Sequence, residues 1–155
     1  MRIFWIFLVA LVLTLSSCFD MPYYSESSVV DTSGWYSSDT LVYNFSIQDS
    51  IARFNSQIDL SHTGNYPYSN LYLFIDITFP NNKHRVDTLE CVLADKRGKW
   101  YGKGLGDMVN HRIDYLDEIA FPLNGDYEIA ITHGMRRDPL EEITDLGLRL
   151  EIVSL

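Results

Sequence analysis

The chain has few cysteines: Cys18 and Cys91 are the only two in 155 residues. That count excludes a disulfide-stapled scaffold, and a chain of this length can bury an adequate core without staples. Basic residues are also scarce, with 12 Lys and Arg against 21 Asp and Glu and a formal net charge of −9. Such a balance excludes the basic footprint of a nucleic-acid binder and gives little attraction to anionic headgroups. No segment shows ten or more residues of clear helical periodicity, which excludes a helical bundle. The usual catalytic constellations are missing. His62, His84, His111 and His133 are dispersed, so a metal site would have to assemble in three dimensions. There is no Gly-x-Ser-x-Gly elbow, and the glycine-dense stretch from Gly98 to Gly106 lacks the Gly-Lys-Ser/Thr ending of a phosphate loop. The expectation is no enzymatic activity, no catalytic residue, no metal and no cofactor.

What is present begins at the N-terminus. Arg2 precedes an almost wholly apolar run over residues 3–15. This run fits a signal-peptide core and is too short for a bilayer span, which needs about 20 apolar residues. Leu15, Ser16 and Ser17 then precede Cys18, an order that matches a bacterial lipobox. Small residues suit the narrow cleft of a signal peptidase, and the cysteine sulfur takes up the diacylglyceryl group. Residues 1–17 therefore read as a lipoprotein signal peptide and Cys18 as the lipidation site. Two or more acyl chains, palmitate among them, hold a protein stably on a membrane. Losing Arg2 with the leader takes the net charge to −10. Phe19 follows the cysteine where inner-membrane retention often has an aspartate, and Asp20 is a lone acid. The outer membrane, facing the periplasm, is the expected location. Residues 18–38 are serine-rich and poorly periodic, so they read as a lipidated N-terminus and polar tether, with Trp35 and Tyr36 able to pack near its end.

Residues 39–155 carry the domain. Leu41, Tyr43, Phe45 and Ile47 alternate with Val42, Asn44, Ser46 and Gln48. Ala52, Phe54, Ser56, Ile58 and Leu60 alternate with Arg53, Asn55, Gln57 and Asp59. Leu71, Leu73, Ile75, Ile77 and Phe79 form a third set, with Asp76 and Thr78 facing away. Residues 88–94, a shorter candidate at 117–121, the set Tyr127, Ile129 and Ile131, and the set Leu146, Leu148, Leu150 and Ile152 continue the pattern. Period-two alternation marks half-buried strands. About seven to nine such strands predict an all-β, two-sheet antiparallel β-sandwich, immunoglobulin-like or jelly-roll-like. Asn124 and Gly125 suit a tight hairpin turn, and residues 138–145 allow one helical turn at most. Cys91 lies on the alternating face of Leu89 and Leu93 and reads as a small buried hydrophobe.

Two aromatic loops are the candidate contact surfaces. Tyr66, Tyr68 and Asn70 surround Pro67 on one, and Trp100 with Tyr101 sit among glycines on the other. Each could grip a partner or a sugar ring, or could simply cover an end of the core. Thr40, Ser50 and Thr88 each lie in an Asp-Ser/Thr-aliphatic triplet, a pattern used for O-glycosylation by some bacteria.

Several segments taken in order resemble a known family. They are Tyr66-Pro67-Tyr68-Ser69-Asn70-Leu71-Tyr72-Leu73-Phe74, then Asp87-Thr88-Leu89-Glu90-Cys91-Val92-Leu93-Ala94, then Gly98-Lys99-Trp100-Tyr101-Gly102-Lys103-Gly104. Phe121-Pro122, Gly125-Asp126-Tyr127, Met135-Arg136, Leu140 and Ile143-Thr144-Asp145-Leu146-Gly147-Leu148 follow. With the lipobox, this set resembles the gliding-motility lipoprotein family GldH. The resemblance implies an outer-membrane lipoprotein working beside other gliding or envelope lipoproteins and the type IX secretion machinery, with no catalytic residues to carry over. The leading expectation is a membrane-anchored, non-enzymatic interaction component; the alternative is a carbohydrate-binding periplasmic or surface lipoprotein.

Overall fold

The computed structural model describes residues 21–153. Residues 1–17, expected to be a signal peptide, and Cys18 lie outside the described residues. Nine strands follow in chain order: β1 (Tyr24–Val29), β2 (Leu41–Ile47), β3 (Arg53–Thr63), β4 (Asn70–Thr78), β5 (His84–Val92), β6 (Lys103–Leu105), β7 (Met108–Ala120), β8 (Gly125–His133) and β9 (Ile143–Ile152). They form two antiparallel sheets, one ordered β1-β9-β3-β7-β6 and the other β2-β8-β4-β5. The fold is the expected two-sheet β-sandwich.

Alternation sets which face is inside. On β4, Leu71, Leu73, Ile75 and Ile77 are buried, and Tyr72, Phe74, Asp76 and Thr78 turn away from them. Burial of each such side chain contributes about 2 kcal/mol. A one-residue slip would expose all four at once, so the hydrophobic pattern fixes the register. β8 matches it with Tyr127, Ile129 and Ile131, and β3 with Phe54, Ile58 and Leu60.

Three elements depart from the sequence expectation. Tyr24–Val29, read as tether, is an edge strand paired antiparallel with β9 along its whole length. Its side chains are mostly exposed, so the backbone ladder holds it and no apolar period announces it. The ordered domain thus begins well before residue 39, and Trp35 is fully buried with its indole N–H donating to the Asp39 carbonyl at 2.7 Å. Strand β7 runs thirteen residues where only 117–121 had suggested a strand; irregular pairing with β3 around Ser56 shifts its inward face partway along. Asn124 and Gly125 do not close a hairpin, because β7 and β8 belong to different sheets and residues 121–124 cross between them.

The pairing gives the sandwich two distinct ends. β1 starts at the near end, which gathers the loops 48–52, 79–83 and 121–124. The far end gathers the loops 30–40, 64–69, 93–102 and 134–142. Both aromatic loops singled out in the sequence are therefore at the far end.

Candidate functional site

Two concavities lie at the far end. The first is built on a histidine pair. His62 on β3 and His111 on β7 are diagonal neighbours of one ladder, since Leu60 pairs with His111 and His62 with Val109. Both are buried, and their Nε2 atoms are 3.0 Å apart. The Thr63 carbonyl, 2.7 Å from His62 Nδ1, can only accept. His62 Nδ1 therefore carries the proton, His62 Nε2 accepts, and the His111 Nε2–H donates. Burial lowers the pKa of His62, and His111 is pushed down to about 4 by burial and then by His62. The pair is neutral at pH 7. Trp100 packs edge-on against His62 at 4.5 Å between ring centroids, and Tyr66 lies at 5.3 Å. Gly102 is obligatory beside it: a Cβ there would approach the Asn110 carbonyl oxygen to 2.6 Å. A cleft of about 560 Å3 opens beside His111, lined by Tyr101, Lys103, Asn110 and Arg112. Among the described residues no three His, Cys, Asp or Glu side chains converge to hold a metal ion.

The second concavity, about 510 Å3, lies on the outer face of the four-stranded sheet. Tyr72 and Phe74 form its floor, with Tyr68, Thr88, Met135 and Arg136 around them. The loop after β8 is laid over β4 by its backbone: the Gly134 N–H donates to the Tyr72 carbonyl at 2.7 Å, and the Tyr72 N–H donates to Met135 Sδ at 3.4 Å. Gly134 permits this approach, since a Cβ would stand 3.0 Å from two carbons of the Phe74 ring. Arg137 pairs with Glu141 at 3.2 Å. Arg136 makes no ion pair among the described residues. Beneath the same loop His133 is buried; its Nδ1 accepts from the Met135 N–H at 3.3 Å, so its Nε2–H faces Asp138, 3.6 Å away. Hydrogen bonds from the Ser37 hydroxyl and amide hold the Asp138 carboxyl below its usual pKa.

The structure divides the sequence candidates. Tyr66 is only 3% exposed and its hydroxyl donates to the Asn70 carbonyl at 3.0 Å, so its ring is core rather than surface. Burial pushes its phenol pKa up. Trp100 is half-buried over His62. Tyr68 reaches the groove, and Tyr101, 65% exposed, stands at the rim of the histidine cleft. Asn70 is half-buried and its side-chain amide donates to Glu90 at 2.8 Å. Thr40 and Thr88 are exposed and Ser50 half-buried; Thr88 lines the groove. Cys91 is buried without a disulfide partner among the described residues, and burial pushes its thiol up to about 12.

Sequence reasoning did not single out Tyr72, Phe74, Met135 or Arg136 as contacts. A signal for two of them existed. Tyr72 and Phe74 occupy the outward register of β4, where a solvated face would carry polar residues.

Residues 22–150 match the family described as GldH lipoprotein. The chain is 31% identical over 153 residues to the Gliding motility lipoprotein GldH of Flavobacterium johnsoniae, covering 94% of each chain. It is 30% identical over 154 residues to a Gliding motility lipoprotein GldH homolog of Christiangramia forsetii, covering 95% of this chain and 93% of the relative. Among solved structures, a family GH115 4-O-methyl-alpha-glucuronidase aligns with a TM-score of 0.40 and 13% identity, over 88% of this chain and 16% of that one. The Yersinia pseudotuberculosis-derived mitogen aligns with a TM-score of 0.27 and 8% identity, over 76% of this chain and 88% of that one. Likeness at those scores carries no functional weight.

Proposed function

The chain belongs to the GldH lipoprotein family, and we propose that it is a non-enzymatic, lipid-anchored interaction component of the gliding-motility and type IX secretion-associated envelope machinery. Membrane anchoring follows from the family being lipoproteins. The finer reading is that Cys18 carries the diacylglyceryl group and that the domain stands on the outer membrane, facing the periplasm. The partner docks in the groove floored by Tyr72 and Phe74.

One observation carries this reading: two aromatics in an outward register meet Met135 and Arg136, which has no ion pair among the described residues, in a formed groove. Tyrosine and arginine are the residue types that dominate interface energetics, and methionine adapts to an apolar partner. A guanidinium on an otherwise acidic chain selects an acidic segment on the partner. A sugar ring would also stack on Tyr72 or Phe74, so the aromatic floor does not separate the two readings; the Met135 thioether and the Arg136 guanidinium favour a protein segment.

The test is affinity purification of the lipidated protein from native envelopes. The Phe74→Ala, Arg136→Ala double variant should lose the co-purifying partner while keeping the parent melting curve. A folded double variant that retains its partner would remove the groove assignment. Saturable binding of a glycan in calorimetric titration would put the carbohydrate reading in its place. A Cys18→Ala precursor should lose the lipid mass and leave the membrane fraction; normal fractionation of that variant would overturn the anchor.

A further inference from the structure

Strand β1 begins at Tyr24, six residues after Cys18. Six residues reach at most about 20 Å. A lipid on Cys18 therefore holds the near end of the sandwich within about 20 Å of the bilayer. Residues before β1 are also fixed to that end. The Tyr23 hydroxyl donates to the Ser46 carbonyl at 2.7 Å, and its ring packs edge-on against Phe54 at 5.1 Å. Large apolar side chains stand exposed there: Met21 at 85%, Ile51 at 86% and Ile152 at 55%. Ile51 is held at the tip of its loop by its own N–H, which donates to Asp49 Oδ1 at 2.8 Å.

From this placement we propose that the near end is a membrane-seating surface: Met21, Ile51 and Ile152 enter the bilayer interface, and the far-end groove is held up away from it. The occupant is a lipid surface, because the chain leads there within six residues and presents bare aliphatic groups. Lys83 on the same end can reach headgroup phosphates over its apolar stem, the Arg53 guanidinium donates to the Glu118 carbonyl at 2.7 Å, and Asp49, Asp126 and Glu151 oppose a strongly anionic surface. The surface is thus suited to zwitterionic lipid. Along β4, Tyr72 lies six residues from Thr78, which raises the groove on the order of 20 Å above the near end. The domain is a short pedestal with its docking groove pointed at partners, rather than a bead on a loose leash. The inference rests on Cys18 being the lipidated residue.

Single cysteines placed at Ile51 (I51C) and Asn81 (N81C) sample two near-end loops, and one at Lys96 (K96C) samples the far end. Buried Cys91 leaves the introduced thiol as the site that a maleimide fluorophore labels. Each lipidated, labelled protein is placed on phosphatidylcholine vesicles containing nitroxide-labelled lipid. Quenching at least threefold stronger at positions 51 and 81 than at 96 is expected. Equal quenching at all three positions, or stronger quenching at 96, overturns the seating while an intact mass of peptide plus lipid keeps the anchor reading. A mass of peptide alone overturns both.

Discussion

The histidine cleft and the aromatic groove share one end of the sandwich but use the same kinds of side chain differently. In the cleft, the histidines and the packed aromatics are committed inward, His62 to Thr63 and His111, Trp100 to His62, and Tyr66 to the Asn70 carbonyl, and Tyr101 alone of its aromatics stands exposed at the rim. In the groove, Tyr72 and Phe74 face outward and Arg136 has no ionic partner among the described residues. The comparison teaches that aromatic density alone does not mark a contact surface. What separates the two regions is whether the polar and aromatic groups are already satisfied within the fold.

Stability measurements can break this contrast. The largest effect is expected for Gly102→Ala. Its Cβ would meet backbone oxygen at 2.6 Å, an overlap that no rotamer change relieves, so chemical denaturation should show a loss of about 3 kcal/mol. A variant as stable as the parent would mean that the cleft is loosely built. Trp100→Ala should cost about 2 kcal/mol, less than a fully buried aromatic because Trp100 is only half-buried. If it instead left stability unchanged and abolished partner binding, Trp100 would move from the packing region to the docking region.

The pH dependence sharpens the same point. The folded state keeps both imidazoles neutral, and His111 titrates near 4, whereas the unfolded chain takes up its proton near 6.5. The unfolded state thus binds more protons between these values. Stability should be full above about pH 7, fall as the pH drops from 6.5 towards 4, and level below that, by on the order of 2 kcal/mol. His111→Asn should flatten this acid limb in urea titrations at several pH values; an unchanged limb would show that the pair does not govern it. The smallest effect is expected for Phe74→Ala, within about 0.5 kcal/mol of the parent in stability, with partner affinity reduced at least tenfold in a binding titration. A large loss of stability would make Phe74 a packing residue like Trp100.

Much of the fold was legible in the sequence because β2, β3, β4, β8 and β9 bury one face each and so print a period of two. β1 was not legible. Tyr24, Ser25, Glu26, Ser27, Ser28 and Val29 offer no buried apolar stripe, and hydrogen bonding to β9 decides their conformation. Of β7 only the end at 117–121 was read as a strand; Val109, His111, Ile113 and Tyr115 also alternate, and the irregularity near Ser56 of β3 breaks their phase before residue 117. For the candidate site, Tyr68 and Tyr101 were visible as loop aromatics. The groove was not, because residues 68, 72–74, 88 and 134–137 meet only once β4, β5 and β8 are paired.

By itself, the sequence determined the family and the two-sheet class of the fold, since each is written in local order or in short-range alternation. The tertiary structure decided which aromatics are core and which are surface. Tyr66 and Tyr68 are two residues apart on one loop, yet one is sealed by a hydrogen bond to Asn70 and the other reaches a groove. It also decided which end carries the contacts, and it joined His62 to His111 across 49 residues. Burial and long-range pairing depend on which strands become neighbours, and no local pattern in this chain encodes that.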